Sequence, residues 1–275
     1  MKNVGFIGYG HMGSVLLNAL LETKAILPSE IYITNRTTVK LLPLKQKYPD
    51  ITICEESRQV ASQCDTLFLC VSTMQVHPVL YDIFPTLKPE THLILISGGL
   101  EISSVESCYA GPITKIIPTI LAEVHCGTTL ICHNQKVPEQ NRTHFNSILG
   151  RIGKIMEIDE AQFEIAADFT SCAPGLIAAI ANNFILAGSS LGNISKHDAQ
   201  DLFLESIYGT AKTLREHEIS LEEYIQRIAT KGGATEGGVS VLNEQLPETF
   251  AAMFSVADQR HEQRKQITRQ QFSKG

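Results

Sequence analysis

Val4-Gly5-Phe6-Ile7-Gly8-Tyr9-Gly10-His11-Met12-Gly13 is the stretch that decides the fold. A short apolar strand runs into glycines at 8, 10 and 13, and a run with helical apolar spacing starts at Met12. In that context each glycine has its own task. Gly8 permits the tight turn, Gly10 lets the backbone approach a pyrophosphate, and Gly13 allows the helix to pack on the strand, with the helix N-terminus facing the anion. The pattern predicts a dinucleotide site that includes Gly8, Gly10, His11, Met12 and Gly13; the alternative is a glycine-rich turn without ligand.

Outward from this motif, apolar β-branched runs at 4–7, 31–34, 51–54, 66–71 and 92–97 alternate with helix-period segments at 12–23, 38–47, 57–63 and 76–84. Alternation of this kind predicts a doubly wound parallel sheet with right-handed crossovers and ligands at its carboxyl edge. Strands at 115–117 and 128–132 lie too close together for a long intervening helix, so the sheet is expected to gain an antiparallel margin. A helix at 138–151 and a strand at 154–158 complete this domain, 1–158.

After Asp159 the chain turns rich in Ala, Gln, Glu and Arg and loses strand candidates. Helices are expected at 161–169, 174–189, 196–216, 221–228 and 236–272, the last broken near Pro247. The class is thus α/β, an N-terminal Rossmann-type sheet followed by an all-helical domain over 159–275. A small-residue face from Gly175 to Ala187 would bury little alone, which points to a homodimer or higher homo-oligomer.

Composition narrows the function. The 275 residues are 43% hydrophobic and 19% charged, as in a globular protein. A net charge of -6, 7% aromatics, no Trp and no basic cluster before the final fifteen residues argue against a nucleic-acid partner. The basic tail at 260–274, interspersed with Gln and Glu, reads as a solvated helix face or frayed end. The N-terminus runs straight into a strand without an export-signal pattern, so export is not expected, and the unpaired cysteines lead us to expect a reducing compartment, the cytoplasm. The apolar stretch 176–188, interrupted by Asn182 and Asn183, falls short of the roughly 20 residues a bilayer needs. It reads as a buried helix, with no membrane partner. Seven cysteines without a Cys-x-x-Cys pair suggest neither a disulfide framework nor zinc, and scattered histidines support no metal site.

The second strand selects the cofactor. An acid at its end would bind the free ribose hydroxyl of NAD and repel a 2′-phosphate, whereas this strand ends Thr34-Asn35-Arg36-Thr37. Asn35 lacks the repelling charge, Arg36 offers a planar fork to phosphate, and Thr37 offers a hydroxyl. NADP(H) is favoured, the alternative being a solvated Arg36 and a Thr37 that only caps the next helix. Val71 and Ser72 after the fourth strand, and Ser97 and Gly98 after the fifth, occupy the edge positions for further contacts, the latter pair on the nicotinamide side. Cys70 reads as a small buried hydrophobe.

In the helical half, Thr230-Lys231-Gly232-Gly233-Ala234-Thr235 precedes the last long helix. Its exposed backbone N–H groups suit a carboxylate or phosphate, and an ordinary interhelical turn is the other reading.

Taken in order, these segments resemble the pyrroline-5-carboxylate reductase family over nearly the whole chain. Phe6 to Gly13 resembles the family's opening motif, and Asn35-Arg36-Thr37 resembles its NADP-type strand end. Pro118 with Ala122, Pro174 after Thr170-Ser171-Cys172-Ala173, and Gly232-Gly233-Ala234-Thr235 fall where its other motifs lie. The resemblance implies a Rossmann domain, a helical dimerisation domain, and hydride transfer from NADPH to the imine carbon of pyrroline-5-carboxylate, giving proline. It also implies that Thr230, Gly232, Gly233 and Ala234 hold the substrate carboxylate. Thr235 then matches the Thr that contacts the ring nitrogen as proposed proton donor.

Departures from the family pattern are Ser72-Thr73 for Lys-Pro, Thr119-Ile120 for Asn-Thr, Leu176 for Tyr, Asn182 for Glu and Lys231 for Pro. Together with Ile116-Ile117-Pro118 they resemble the paralogous late competence ComER branch. Two other readings stay open on them, a reductase of another cyclic imine and a non-catalytic NADP-binding regulator.

Overall fold

A computed structural model describes residues 3–273; Lys274, the end of the basic tail, lies outside them. Eight strands form one sheet: β1 (Val4–Ile7), β2 (Ile31–Thr34), β3 (Thr52–Ile53), β4 (Thr66–Leu69), β5 (His92–Leu95), β6 (Ile113–Ile117), β7 (Thr128–His133) and β8 (Lys154–Glu157). Their order is β3-β2-β1-β4-β5-β6-β7-β8. Pairs from β3 to β6 are parallel, β7 runs antiparallel to β6, and β8 is parallel to β7. The order reverses between β1 and β4, and the carboxyl ends of those two strands border the crevice where doubly wound sheets take ligands.

Helices cover both faces, so the central strands have no polar side. Phe6, Phe68 and Ile94 pair across β1, β4 and β5 and point into one core, where the Phe6 and Phe68 rings stack 4.6 Å apart. Their neighbours Leu67, Leu69, Leu93 and Leu95 point into the other. This is why these strands read as unbroken apolar runs. Five helices bridge the parallel strands: α1 (His11–Glu22), α2 (Leu42–Lys47), α3 (Ser57–Gln63), α4 (Thr73–Ile83) and α5 (Ile102–Glu106). Of these, α5 has no counterpart in the sequence reading, being shorter than a resolvable helical period. Residues 38–41 form a 3₁₀ turn ahead of α2, which begins at the residue before Pro43. α6 (Glu139–Leu149) leads into β8.

The remaining elements are α7 (Phe163–Ala167), α8 (Ala173–Ser189), α9 (Lys196–Glu216), α10 (Leu221–Ile228) and α11 (Ala234–Phe272). A π turn over Asp168–Cys172 joins α7 to α8, so one helical run spans Glu160–Ser189 where the sequence reading has two helices. α11 continues through Pro247 without the expected break.

By packing, one compact unit comprises the chain to Pro174 together with the segment from Asp258 onward, and a second is Gly175–Ala257. The division therefore does not coincide with the composition boundary at 158/159. Phe163 and Ala167 of α7 are buried with Ile117 and Leu130 of the sheet, which carries the first helical residues into the first unit. The basic tail is a helix whose Arg260, Arg264 and Arg269 are exposed, as a solvated face requires, while its other side packs, with His261 and Thr268 buried and Thr268 donating to the Gly99 carbonyl.

In the second unit, α8 is not the buried helix the sequence suggests. Ile177, Ile180, Phe184 and Leu186 are exposed, as are Leu202, Leu204 and Tyr208 of α9. The run Glu160–Ser189 is long and apolar enough to cross a membrane by length and composition, with a mean hydropathy of 1.4 in its 18-residue window.

Candidate active site

The carboxyl ends of β1, β2 and β4 border a cleft of about 710 Å³, lined among others by Gly8, Gly10, Asn35, Arg36, Thr37, Val71 and Ser72. Gly8 turns the chain at φ +100°, and a Cβ there would lie 2.5 Å from the Cys70 carbonyl oxygen. Gly13 is closed in the same way, its would-be Cβ 2.8 Å from the Cβ of Cys70. Nothing lies within 4 Å of a Cβ built on Gly10. The backbone is thus bare on the side facing the cleft, and the N-terminus of α1 carries no side-chain cap and no acid in its first turn. Such a surface fits a dinucleotide pyrophosphate.

The β2 end is built by Asn35. Its Oδ1 accepts from the Tyr9 N–H at 2.9 Å and its Nδ2 donates to the Thr37 carbonyl at 2.9 Å, which fixes the turn presenting Arg36. Thr37 begins the 3₁₀ turn without using its hydroxyl as a cap. Lys40 and Arg58 also line the cleft, and the sequence reading missed both. Lys40 was visible as a second cation four residues after Arg36. Arg58 is paired with Asp82 at 2.8 Å, whereas Arg36 and Lys40 form no ion pair among the described residues. Two uncompensated cations at this edge suit an added phosphate.

His11, Met12, Gly13, Ser97 and Gly98 are not part of the cleft lining. Ser97 and Gly98 are tied to the β4 edge instead. The Ser97 hydroxyl donates to Thr73 Oγ1 at 2.7 Å, and Thr73 donates to the Gly98 carbonyl at 3.2 Å. Burial pushes the Cys70 thiol far above its ordinary value, which keeps it neutral beneath the glycine turn.

Thr230, Gly232, Gly233, Ala234 and Thr235 fall together in the second unit. Gly232 sits at φ +76°, the Gly233 N–H donates to the Thr230 carbonyl at 2.9 Å, and α11 starts at Ala234. The Gly232 N–H donates to Glu236 Oε2 at 2.6 Å, so the loop already grips one carboxylate, its own.

Residues 160–264 match the pyrroline-5-carboxylate reductase dimerisation family and residues 3–99 match NADP oxidoreductase, coenzyme F420-dependent. A pyrroline-5-carboxylate reductase of Bacillus subtilis is 31% identical over 92% of this chain and 93% of its own. The chain belongs to the pyrroline-5-carboxylate reductase family. ComE operon protein 4 of the same organism is 28% identical over 98% of both chains, in line with the ComER resemblance. The pyrroline carboxylate reductase of Plasmodium falciparum, solved with NADP bound, shares the fold at a TM-score of 0.84 and 23% identity, covering 97% of this chain and 98% of that one.

Proposed function

We propose that the protein reduces pyrroline-5-carboxylate to proline with NADPH, in the cytoplasm and as a homo-oligomer. The observation that carries this reading is the bare backbone at Gly10 beside Gly8 and an Arg36 that forms no ion pair among the described residues, in a chain of this family. When bound, NADPH supplies the hydride. A hydride, a proton with two electrons, adds to the imine carbon, the C=N π pair moves onto the ring nitrogen, and that nitrogen takes a proton.

The chain's own residues then divide the remaining tasks among them. Gly8 and Gly10, with His11 and Met12 at the helix N-terminus, hold the pyrophosphate, Gly13 lets that helix pack close enough to the strand to do so, and Asn35, Arg36 and Thr37 select the 2′-phosphate. Val71 and Ser72 pass under the cofactor, and Ser97 and Gly98 border the nicotinamide side. Thr230, Gly232, Gly233 and Ala234 hold the substrate carboxylate, and the Thr235 hydroxyl contacts the ring nitrogen as it gains its proton. Reduction of a C=N bond needs mainly positioning, anion binding and one proton source.

The exposed apolar faces of α8 and α9 support a second copy as their cover, since contiguous apolar surface of this kind marks an interface. Light scattering of the purified chain reads its mass, and a monomer at micromolar concentration contradicts that part. Reduction of another cyclic imine is the second reading, favoured by Leu176, Asn182 and Lys231 at positions where the family differs. Incubation with NADPH and pyrroline-5-carboxylate separates the two. Proline and NADP should appear one for one, and NADPH left unconsumed with this imine but oxidised with others favours the second reading.

A further inference from the structure

The loop after β5 carries an elaborate support that catalysis as described does not use. Glu164 of α7 sends Oε1 to the Gly99 N–H at 3.0 Å and places Oε2 3.7 Å from where a Cβ on Gly98 would lie. Its side chain is only 9% exposed. Behind it stands Lys115 of β6, 2% exposed, 3.9 Å from Glu164 and 3.4 Å from Glu160. Glu160 in turn accepts from the Ile102 N–H at 2.8 Å, so two carboxylates grip the two ends of the segment 99–102. On its other side Glu164 meets His261 of α11, whose Nδ1 lies 3.1 Å away without hydrogen-bond alignment while Nε2 bonds Asp168 at 2.9 Å. α11 reaches the loop directly as well, through Thr268 to the Gly99 carbonyl at 2.6 Å.

Burying a lysine and a glutamate adds little stability, since apolar residues of similar volume do as well. What apolar residues cannot do is fix the orientation of a buried peptide N–H. Gly99 sits at φ +76°, and both its polar backbone groups are taken by this array. The two residues before it are those that the NADPH reading assigns to the nicotinamide.

We propose that Glu164 is a positioning residue which, held between Lys115 and His261, sets the Ser97-Gly98-Gly99 loop and thereby the nicotinamide end of the bound dinucleotide. The inference rests on the NADPH reading above and deepens it. Sub-ångström placement of the hydride donor matters because displacement of about 1 Å can cost roughly 100-fold in rate.

The test uses Glu164→Ala and Glu164→Gln in the full chain, with NADPH and adenosine 2′,5′-bisphosphate as separate probes. The bisphosphate reports only the adenine end. Glu164→Ala should weaken NADPH binding about tenfold and change the fluorescence of the bound reduced ring, while bisphosphate affinity stays within about twofold, since each lost factor of ten is one contact's worth. Turnover should fall more than NADPH affinity. Glu164→Gln, which keeps an acceptor for Gly99, should restore most of both. If Glu164→Ala does not fold, hydrogen exchange at the Gly99 amide in Glu164→Gln still decides, with protection expected to persist. Equal weakening of both probes, an unchanged NADPH signal in Glu164→Ala, a Gln variant as damaged as the Ala variant, or loss of Gly99 protection in Glu164→Gln overturns the inference. A wild-type chain that does not bind NADPH overturns the reading beneath it instead.

Discussion

A Cβ on Gly13 would lie 2.8 Å from the Cβ of Cys70, so α1 and β4 approach as closely as a hydrogen side chain allows. Gly10, three residues earlier, has nothing within 4 Å of the same construction. The two glycines therefore answer to different demands, one to packing and one to space for a ligand.

That difference is measurable. Gly13→Ala must push α1 from the sheet, and overpacking of this kind costs about 1–3 kcal/mol. Gly10→Ala, at a φ of -82° that alanine adopts freely, should leave thermal stability unchanged within about 0.5 kcal/mol yet abolish NADPH binding. Thermal melts paired with NADPH titrations check both, and normal NADPH binding by the Gly10→Ala variant refutes the cradle.

Arg36 faces the cleft without an acidic partner among the described residues. Arg36→Ala should weaken NADPH by about 10–100-fold, the range of a charge-assisted contact, with NADH little changed. Equal loss for both dinucleotides removes Arg36 as the phosphate partner.

Thr235 lies at the second position of α11, in the other compact unit from the cleft. Thr235→Ala should lower kcat by about 10²-fold or more, as loss of a proton-transfer group does, and leave NADPH affinity as it was. Wild-type turnover in the variant would refute the role.

His92 provides a pH signature. It is buried and titrates at about 4 in the fold rather than 6.5, because burial disfavours the imidazolium and His133 adds repulsion. Its Nε2 lies 2.6 Å from Thr114 Oγ1, which lies 2.7 Å from Nδ1 of His133, itself held near 4 by burial and then Arg142. Between roughly pH 6.5 and 4 the unfolded chain binds protons that the fold does not, so stability falls as pH falls through that window. His92 contributes up to about 1.4 kcal/mol per pH unit there, and the partly exposed His133 less. Denaturant midpoints at pH 7 and pH 5 should differ less in His92→Gln than in the wild type; identical pH slopes contradict the assignment.

How much of this was legible in the sequence follows from where each signal resides. β1, β2 and α3 match the sequence reading to the residue, because apolar runs and turn residues are local. The glycine turn was legible for the same reason. α11 passes through Pro247 although proline removes a helical hydrogen bond, and only its surroundings in the fold decide whether that cost is tolerated. Lys115, Glu164 and His261 were invisible as a group, since 97 residues separate Glu164 from His261 and none belongs to a local pattern. Leu176 to Gly188 is apolar in a way that fits a buried or a partner-covered helix equally, and the exposure of Ile177 and Phe184 shows only that the single chain does not cover it.

The central claim is hydride transfer to an imine carbon, and isotope transfer tests it most directly. The chain should be incubated with pyrroline-5-carboxylate and NADPH deuterated at the transferred nicotinamide position, and the product read by mass spectrometry. The account predicts proline carrying one deuterium on the ring carbon next to nitrogen that does not bear the carboxylate. Tight NADPH binding with no labelled proline would contradict it.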